Sequence, residues 1–168
     1  MSDEQAKIDR AWDLMGRIEV GLLVTHDGHG DHLRARPVHA HLVAAECAIY
    51  FLTDAASAKT HEIDGNDNVC IAFADIKRGK YVSATGTASV LNDRAKVEEL
   101  WTTSDKAFWA SPDDPSVRVV RIDPSIVEYW DSFGAVVTAA RTAAARVAGT
   151  KPVVRENEKV EVPARRTH

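Results

Sequence analysis

Two short stretches hold the residue types from which an anion site is built. In His32-Leu33-Arg34-Ala35-Arg36-Pro37-Val38, an extended backbone would set Arg34 and Arg36 on one face, two residues apart. Two guanidinium groups placed like that repel unless they meet anions. Downstream, Thr53-Asp54-Ala55-Ala56-Ser57-Ala58-Lys59 offers a hydroxyl at a strand end, a second hydroxyl at a helix N-cap and a lysine in the first helical turn. Free backbone amides, hydroxyls and a lysine at a helix start are the requirements of a phosphate site, and a nearby arginine adds bidentate geometry. Each stretch alone also has a plain structural reading, in which Ser57 caps a helix, Lys59 is solvated and the arginines form surface ion pairs.

Other chemistry is less well supported. Seven histidines invite a metal site, since His39 and His41 stand at i and i+2 and His26, His29 and His32 surround a turn. Yet no His-Glu-x-x-His or Cys-x-x-Cys spacing occurs, and no metal is expected. Cys47 and Cys70 lie far apart in apolar runs and read as small core residues of a reducing compartment. A Gly-x-Ser-x-Gly nucleophile elbow is absent from the sequence. Trp12 and Trp101 suit a core, whereas Trp109 lies in a proline-flanked polar loop where a ligand or subunit contact is as natural.

The elements that must position these groups follow from periodicity. Ile8, Ala11, Trp12, Met15 and Ile18 predict an amphipathic helix over Ala6 to Ile18, with Gly16 near its end. Glu19 to Thr25 is a short apolar strand, and His26 to Asp31 supplies the glycines and aspartates of a hairpin turn. The return strand, His32 to Leu42, contains Pro37, which requires an edge position or a bulge. Further strands are expected at Ala48 to Thr53, at Val69 to Ala74 (apolar enough to be covered on both faces) and at Tyr81 to Leu91, where Gly86 marks a bulge or close backbone approach. Ser116 to Trp130 is one long strand or two, broken at Asp123-Pro124. Short helices are expected at Ser57 to Asp64 and, capped by Asp93, at Arg94 to Trp101. A loop fills Thr102 to Pro115, and an alanine-rich helix runs from Ala135 to Ala148. Beyond Gly149 the chain is charged, proline-marked and read as extended or mobile. About six strands joined by tight turns, without regular strand-helix alternation, make a mainly β fold with α decorations and an antiparallel barrel.

Composition bounds the partners. At 168 residues, 45% hydrophobic and 27% charged, the chain suits one folded core. A net charge of -4 argues against general nucleic-acid binding, and no apolar stretch is long enough to span a membrane, so a soluble cytoplasmic protein is expected.

Taken in order, Arg36-Pro37-Val38 after a hairpin, Tyr50-Phe51-Leu52-Thr53-Asp54 followed by Ser57 and Lys59, Asn68-Val69, and Tyr81-Val82-Ser83-Ala84-Thr85-Gly86-Thr87-Ala88 resemble the pyridoxamine 5'-phosphate oxidase-like proteins. The bacterial general stress protein branch is the nearest likeness, through Phe108-Trp109, Val127-Glu128-Tyr129-Trp130-Asp131 and Glu156-Asn157-Glu158. The resemblance implies a six-stranded antiparallel split β-barrel over residues 5–134, with the C-terminal helix and tail of residues 135–168 as part of the same unit. It also implies a homodimer that binds FMN, or FAD, at the subunit interface. By likeness, Arg36 and Lys59 would contact the flavin phosphate with Thr53 and Ser57 as hydroxyl donors. The backbone of Pro37 and Val38 would lie beside the ring, and Trp109 or Trp130 would approach from the partner subunit. The chain departs from the oxidase in having Ala58 where a basic residue precedes the lysine, and in having Asp131-Ser132-Phe133-Gly134 after Trp130 in place of the oxidase's arginine and histidine pair. Those departures argue against oxidation of pyridoxamine phosphate. They leave a flavin-dependent oxidoreductase acting on another small molecule, or a flavin-binding stress or carrier protein without turnover.

Overall fold

The structure is a computed structural model that describes residues 3–28, 32–132, 135–151 and 155–163. Among these residues the centre is a curled antiparallel sheet of eight strands, with four α-helices against or beside it. The helices are α1 (Asp3–Ile18), α2 (Ala58–Gly65), α3 (Arg94–Leu100) and α4 (Ala135–Ala148). The strands are β1 (Val20–His26), β2 (Leu33–His39), β3 (His41–Val43), β4 (Ala48–Asp54), β5 (Asn68–Asp75), β6 (Lys80–Leu91), β7 (Val117–Ser132) and β8 (Arg155–Glu161). The sheet order is β2-β1-β5-β6-β7-β4-β3, and β8 adds to β7.

That order explains the curl. β2 and β3 are the two ends of the sheet path, yet only Ala40 separates them along the chain. The two edges must therefore meet at Ala40, whose amide donates to the carbonyl of Glu19 at 2.8 Å. The expected strand His32 to Leu42 is thus two strands on opposite edges, and His39 and His41 do not share one strand. Pro37 takes the expected edge position, opposite Leu22 with no break in register.

The helix α1 buries Ile8, Ala11, Trp12, Leu14 and Met15 on the concave face of the sheet. It runs through Gly16 and stops where Glu19 adopts the left-handed conformation at φ 62°. A second, smaller core lies on the other side of β4, where Ala48 and Tyr50 meet Val97 and Leu100 of α3, with Trp101 and Trp109 packed against it. Asp93 caps α3 as expected, its side chain accepting from the Lys96 amide at 3.0 Å.

Gly86 and Pro124 solve one problem together. The β6–β7 register shifts between Thr85 and Gly86, and a Cβ at Gly86 would lie 2.0 Å from the Asp123 carbonyl oxygen. The bulge lets β7 run unbroken through Asp123-Pro124, because the proline's missing donor falls where the ladder is already interrupted. The tail is also ordered into the sheet. β8 pairs with β7 from Ile126↔Glu161 to Ser132↔Arg155, burying Val160, while Val162 is buried just beyond it.

Three expectations need correction. Cys47 is exposed in the left-handed residue that ends a short 3-10 turn, and Cys70 is half-buried with its sulfur 3.4 Å from Ser83 Oγ, so neither is a core residue. β5 buries only Val69, Ile71 and Phe73; Cys70, Ala72 and Ala74 point to the other face, which the described residues do not fully cover. The loop after α3 contains a 3-10 turn, Thr103–Ala107, closed by a capping box between Thr102 and Asp105. His29 to Asp31 of the hairpin and Gly134 fall outside the described residues.

Candidate functional site

A cleft of about 340 Å³ opens along the seam where β2 meets β3 and β4. Six of the eight residues singled out from sequence line it: Pro37, Val38, Thr53, Ser57, Lys59 and Trp109. The construction is local at one end. At the end of β4 the Asp54 carboxylate accepts from the Ala56 amide at 2.7 Å, and the Ser57 amide donates to the Asp54 carbonyl at 3.0 Å. This tight turn reverses the chain into α2 and folds Ser57 and Lys59 back over Thr53.

The Lys59 ammonium then donates to Thr53 Oγ1 and to Ser57 Oγ, both at 2.8 Å. Ser57 occupies the N-cap position, yet its side chain makes no cap hydrogen bond, because the hydroxyl is committed to the lysine. Among the described residues no carboxylate lies within ion-pair distance of Lys59. Burial, and next the positive charge of Arg36, hold the Lys59 ammonium below the ordinary lysine value. A half-buried cation with two hydroxyl partners and a repelling neighbour is an arrangement that an anion would relieve.

Arg36 stands behind this end of the cleft. It donates through one nitrogen to Thr25 Oγ1 and through another to Glu62 Oε2, each at 2.5 Å. Arg34 donates to Glu62 Oε1 at 2.7 Å, and Thr25 donates its hydroxyl to Glu62 Oε2 at 2.6 Å. Glu62 is only 5% exposed. Burial pushes its carboxyl up, but the hydrogen bonds from Thr25 and Arg36, with the charges of both arginines, outweigh that and hold it below the usual carboxylate range. The anion that two adjacent arginines require is therefore partly supplied from within, by a residue one helical turn past Lys59.

The other end of the cleft is aromatic. Trp109 packs against Trp101 and Phe108, with ring centroids 6.4 and 5.8 Å away, and Phe108 is 78% exposed. His39 and His41 face each other with ring centroids 5.0 Å apart. Burial, followed by the neighbouring His39, holds His41 below the ordinary histidine value and so favours its neutral form. No group of three or more metal-ligating side chains assembles among the described residues. Trp130 is not in the cleft; it lies in β7 opposite Tyr81 and Asn157, twelve residues beyond Arg118, the partner of Thr53, or roughly 40 Å along the strand.

Sequence reasoning missed Glu62, Thr25 and the cleft-lining role of the histidine pair. The arginine repulsion signalled that an anion was needed; nothing in the spacing said which carboxylate would provide it.

The family model described as pyridoxamine 5'-phosphate oxidase like matches residues 6–153. The chain belongs to this family. Among curated relatives, protein bli-3 of Neurospora crassa is 26% identical over 135 residues, a stretch that covers 73% of this chain and 64% of that protein, so the match spans less than two thirds of the relative's length. The fold superposes on a general stress protein 26 from Jannaschia sp. CCS1 with a TM-score of 0.73 at 21% identity, over 94% of this chain and 99% of the other. It also matches the general stress FMN/FAD binding protein of Xanthomonas citri with a TM-score of 0.65 at 21% identity, over 76% and 89% of the two chains. These likenesses place the curled sheet among the split barrels of this family. No helix among the described residues is long and apolar enough to cross a membrane.

Proposed function

We propose that this protein binds FMN in the cleft and acts as a flavin-dependent oxidoreductase on a small molecule, as a homodimer that completes the cleft from both subunits. The observation behind this reading is Lys59, a half-buried ammonium tied to two hydroxyls, with no carboxylate within ion-pair distance among the described residues. A phosphate monoester of about -1.5 to -2 charge offsets that deficit. Lys59, Ser57 and Thr53 would hold the phosphate, with Arg36 supplying a second positive charge at close range. The backbone of Pro37 and Val38 would flank the ring, and Trp109 would shield one side of it from water. A flavin bound there would supply hydride-transfer or single-electron chemistry, and the protein its position and electrostatics.

The dimer rests on a second feature. The outer face of β1, β2 and β5 presents Val20 and Leu22, each about half exposed (51% and 50%), next to Leu33, Ala35 and Pro37. This apolar surface is continuous with the cleft through Pro37, and the cleft itself is near the lower limit of ligand-pocket volumes, which leaves a wall for a second copy to provide. Freshly purified protein should carry flavin absorbance and release FMN, and its flavin should be reduced under anaerobic conditions by a nicotinamide donor. Colourless protein that fails to quench FMN fluorescence at micromolar concentration would sink the flavin reading. Bound FMN that no donor reduces would leave a carrier and overturn the oxidoreductase half.

A further inference from the structure

Two features of the cleft lie away from the phosphate end and have no part in holding a phosphate. The first is the imidazole pair. His39 ends β2 and His41 opens β3, and because the two sheet edges meet at Ala40 the rings come to lie 5.0 Å apart, both lining the cleft. Neither imidazole makes a side-chain hydrogen bond among the described residues. No buried side-chain nitrogen among those residues lacks a partner, so the free nitrogens of the half-buried His41 are reached from the cleft. The second feature is a row of aromatic rings. Trp101 packs against the smaller core, Trp109 stands 6.4 Å from it, and Phe108 lies 5.8 Å beyond Trp109. Phe108 lines the cleft with 78% of its surface open, a large aromatic face that the described residues leave uncovered.

We infer that this end of the cleft is the substrate subsite and that it takes a flat, uncharged aromatic compound with a carbonyl oxygen at its rim, a quinone. The inference rests on the flavin reading above, which gives the Lys59 end to the phosphate. His41 pairs with Tyr50, three residues before Thr53 on β4, so the imidazoles lie about 10 Å along the strand from the phosphate end. There the ligand's ring stacks on Phe108 and Trp109, and its carbonyl oxygen accepts from the imidazole N–H groups. Charge selects against an acid, because Asp105 lines this end and acts on His41, whereas Lys59 is at the other end. A neutral His41 donates one hydrogen bond without bringing a charge that a carboxylate could pair with. The reduction balances with the nicotinamide donor named above. The donor's C–H bond breaks to give up a hydride, solvent gives one proton, and the quinone gains two electrons and two O–H bonds while the nicotinamide is oxidised.

The probes are 2,3-dimethyl-1,4-naphthoquinone, whose blocked ring carbons cannot alkylate the exposed Cys47, and 1-naphthoate, a flat acid of similar size. Equilibrium dialysis of each against the FMN-loaded full chain, with no electron donor present, reads binding without turnover. The native protein should bind the quinone at least tenfold more tightly than naphthoate. The double variant His39→Phe with His41→Phe keeps two flat rings and loses both donors. Its quinone affinity should fall about tenfold, the loss expected for one hydrogen bond, and its FMN affinity less than threefold. His41→Gln, which keeps an N–H donor, should lose less than threefold for the quinone. Phe108→Ala changes an open side chain on which the fold does not depend, and should weaken the quinone about fivefold with FMN unchanged. Unchanged quinone affinity in either the double variant or Phe108→Ala would overturn the subsite. So would equal losses of FMN and quinone in the double variant, or naphthoate bound as tightly as the quinone. If the native protein binds FMN and not the quinone, this inference alone fails; if it binds no FMN, the flavin reading fails and takes this inference with it.

Discussion

Replacing Lys59 by alanine separates the phosphate reading from every structural role the lysine could have. In the ligand-free protein the ammonium is half-buried, repelled by Arg36 and held by two neutral hydroxyls. Its removal takes away a charge that folding disfavours. The cost to stability should be small, about 1 kcal/mol or less, which for a chain of this length is a Tm change of about 2–4 °C. Binding should respond very differently. A charge-assisted hydrogen bond to a phosphate is worth about 1.5–3 kcal/mol, and each 1.4 kcal/mol is a factor of ten, so FMN affinity should fall about 10- to 150-fold. Riboflavin, which has the same ring and no phosphate, should change less than threefold. Linkage adds a sign: because the folded pKa lies below the unfolded value of 10.5, the native protein binds fewer protons than the unfolded chain between the two. Its stability should therefore rise with pH through that window, and the rise should vanish in the variant. Fluorescence titrations of both ligands, with thermal melts of the ligand-free proteins, make the measurement. Equal losses of FMN and riboflavin, or a Tm drop of ten degrees with no ligand selectivity, would refute the assignment.

Three further outcomes follow from the same geometry. Glu62→Gln should destabilise the protein at pH 7 by about 3 kcal/mol, the lower end for breaking a buried ion pair, since its arginine partners are partly open to solvent. Because the Glu62 carboxyl is held below its ordinary value of 4.5, that contribution is present above pH 4.5 and lost as pH falls through the folded value. Urea melts of the two proteins should converge in acid, and a constant gap would contradict the charge pairing. Gly86→Ala should cost about 2–3 kcal/mol by denaturant unfolding, because a Cβ there meets backbone that cannot swing aside; a loss below 0.5 kcal/mol would show that the bulge relaxes. Leu22→Glu should convert a dimer to a monomer on size-exclusion chromatography with light scattering while leaving the half-exposed site's own fold intact, and a native protein that is already monomeric would remove the interface.

The features that were legible in the sequence are those with a local cause. Asp93 ahead of α3, Pro37 on an edge strand and Gly86 at a bulge each state a backbone requirement in a single residue. Features that depend on long-range pairing were not. A return strand with one residue between two halves looks continuous, and only the sheet order reveals that Ala40 carries the chain from one edge to the other. The tail was read as extended or mobile, and its pairing was not foreseen, for a related reason. Val160 and Val162 alternate within charged residues, a half-buried strand pattern, but its significance depends on β7 having a free edge to receive it.

The candidate site divides along the same line, and the division explains its chemistry. Thr53, Ser57 and Lys59 lie within one turn of chain and are brought together by local hydrogen bonds, so their types and spacing sufficed to find them. Glu62 joins them only because α2 lies across β1 and β2, where Thr25 and both arginines converge on its carboxylate. The consequence is electrostatic. Without Glu62, three positive charges would crowd one end of the cleft and the ligand-free fold would bear their mutual repulsion. With it, Arg34 and Arg36 are held on two oxygens of one carboxylate, while Lys59, which lines the cleft, has no carboxylate within ion-pair distance among the described residues. A buried carboxylate shared by two arginines thus lets the fold carry them side by side on β2.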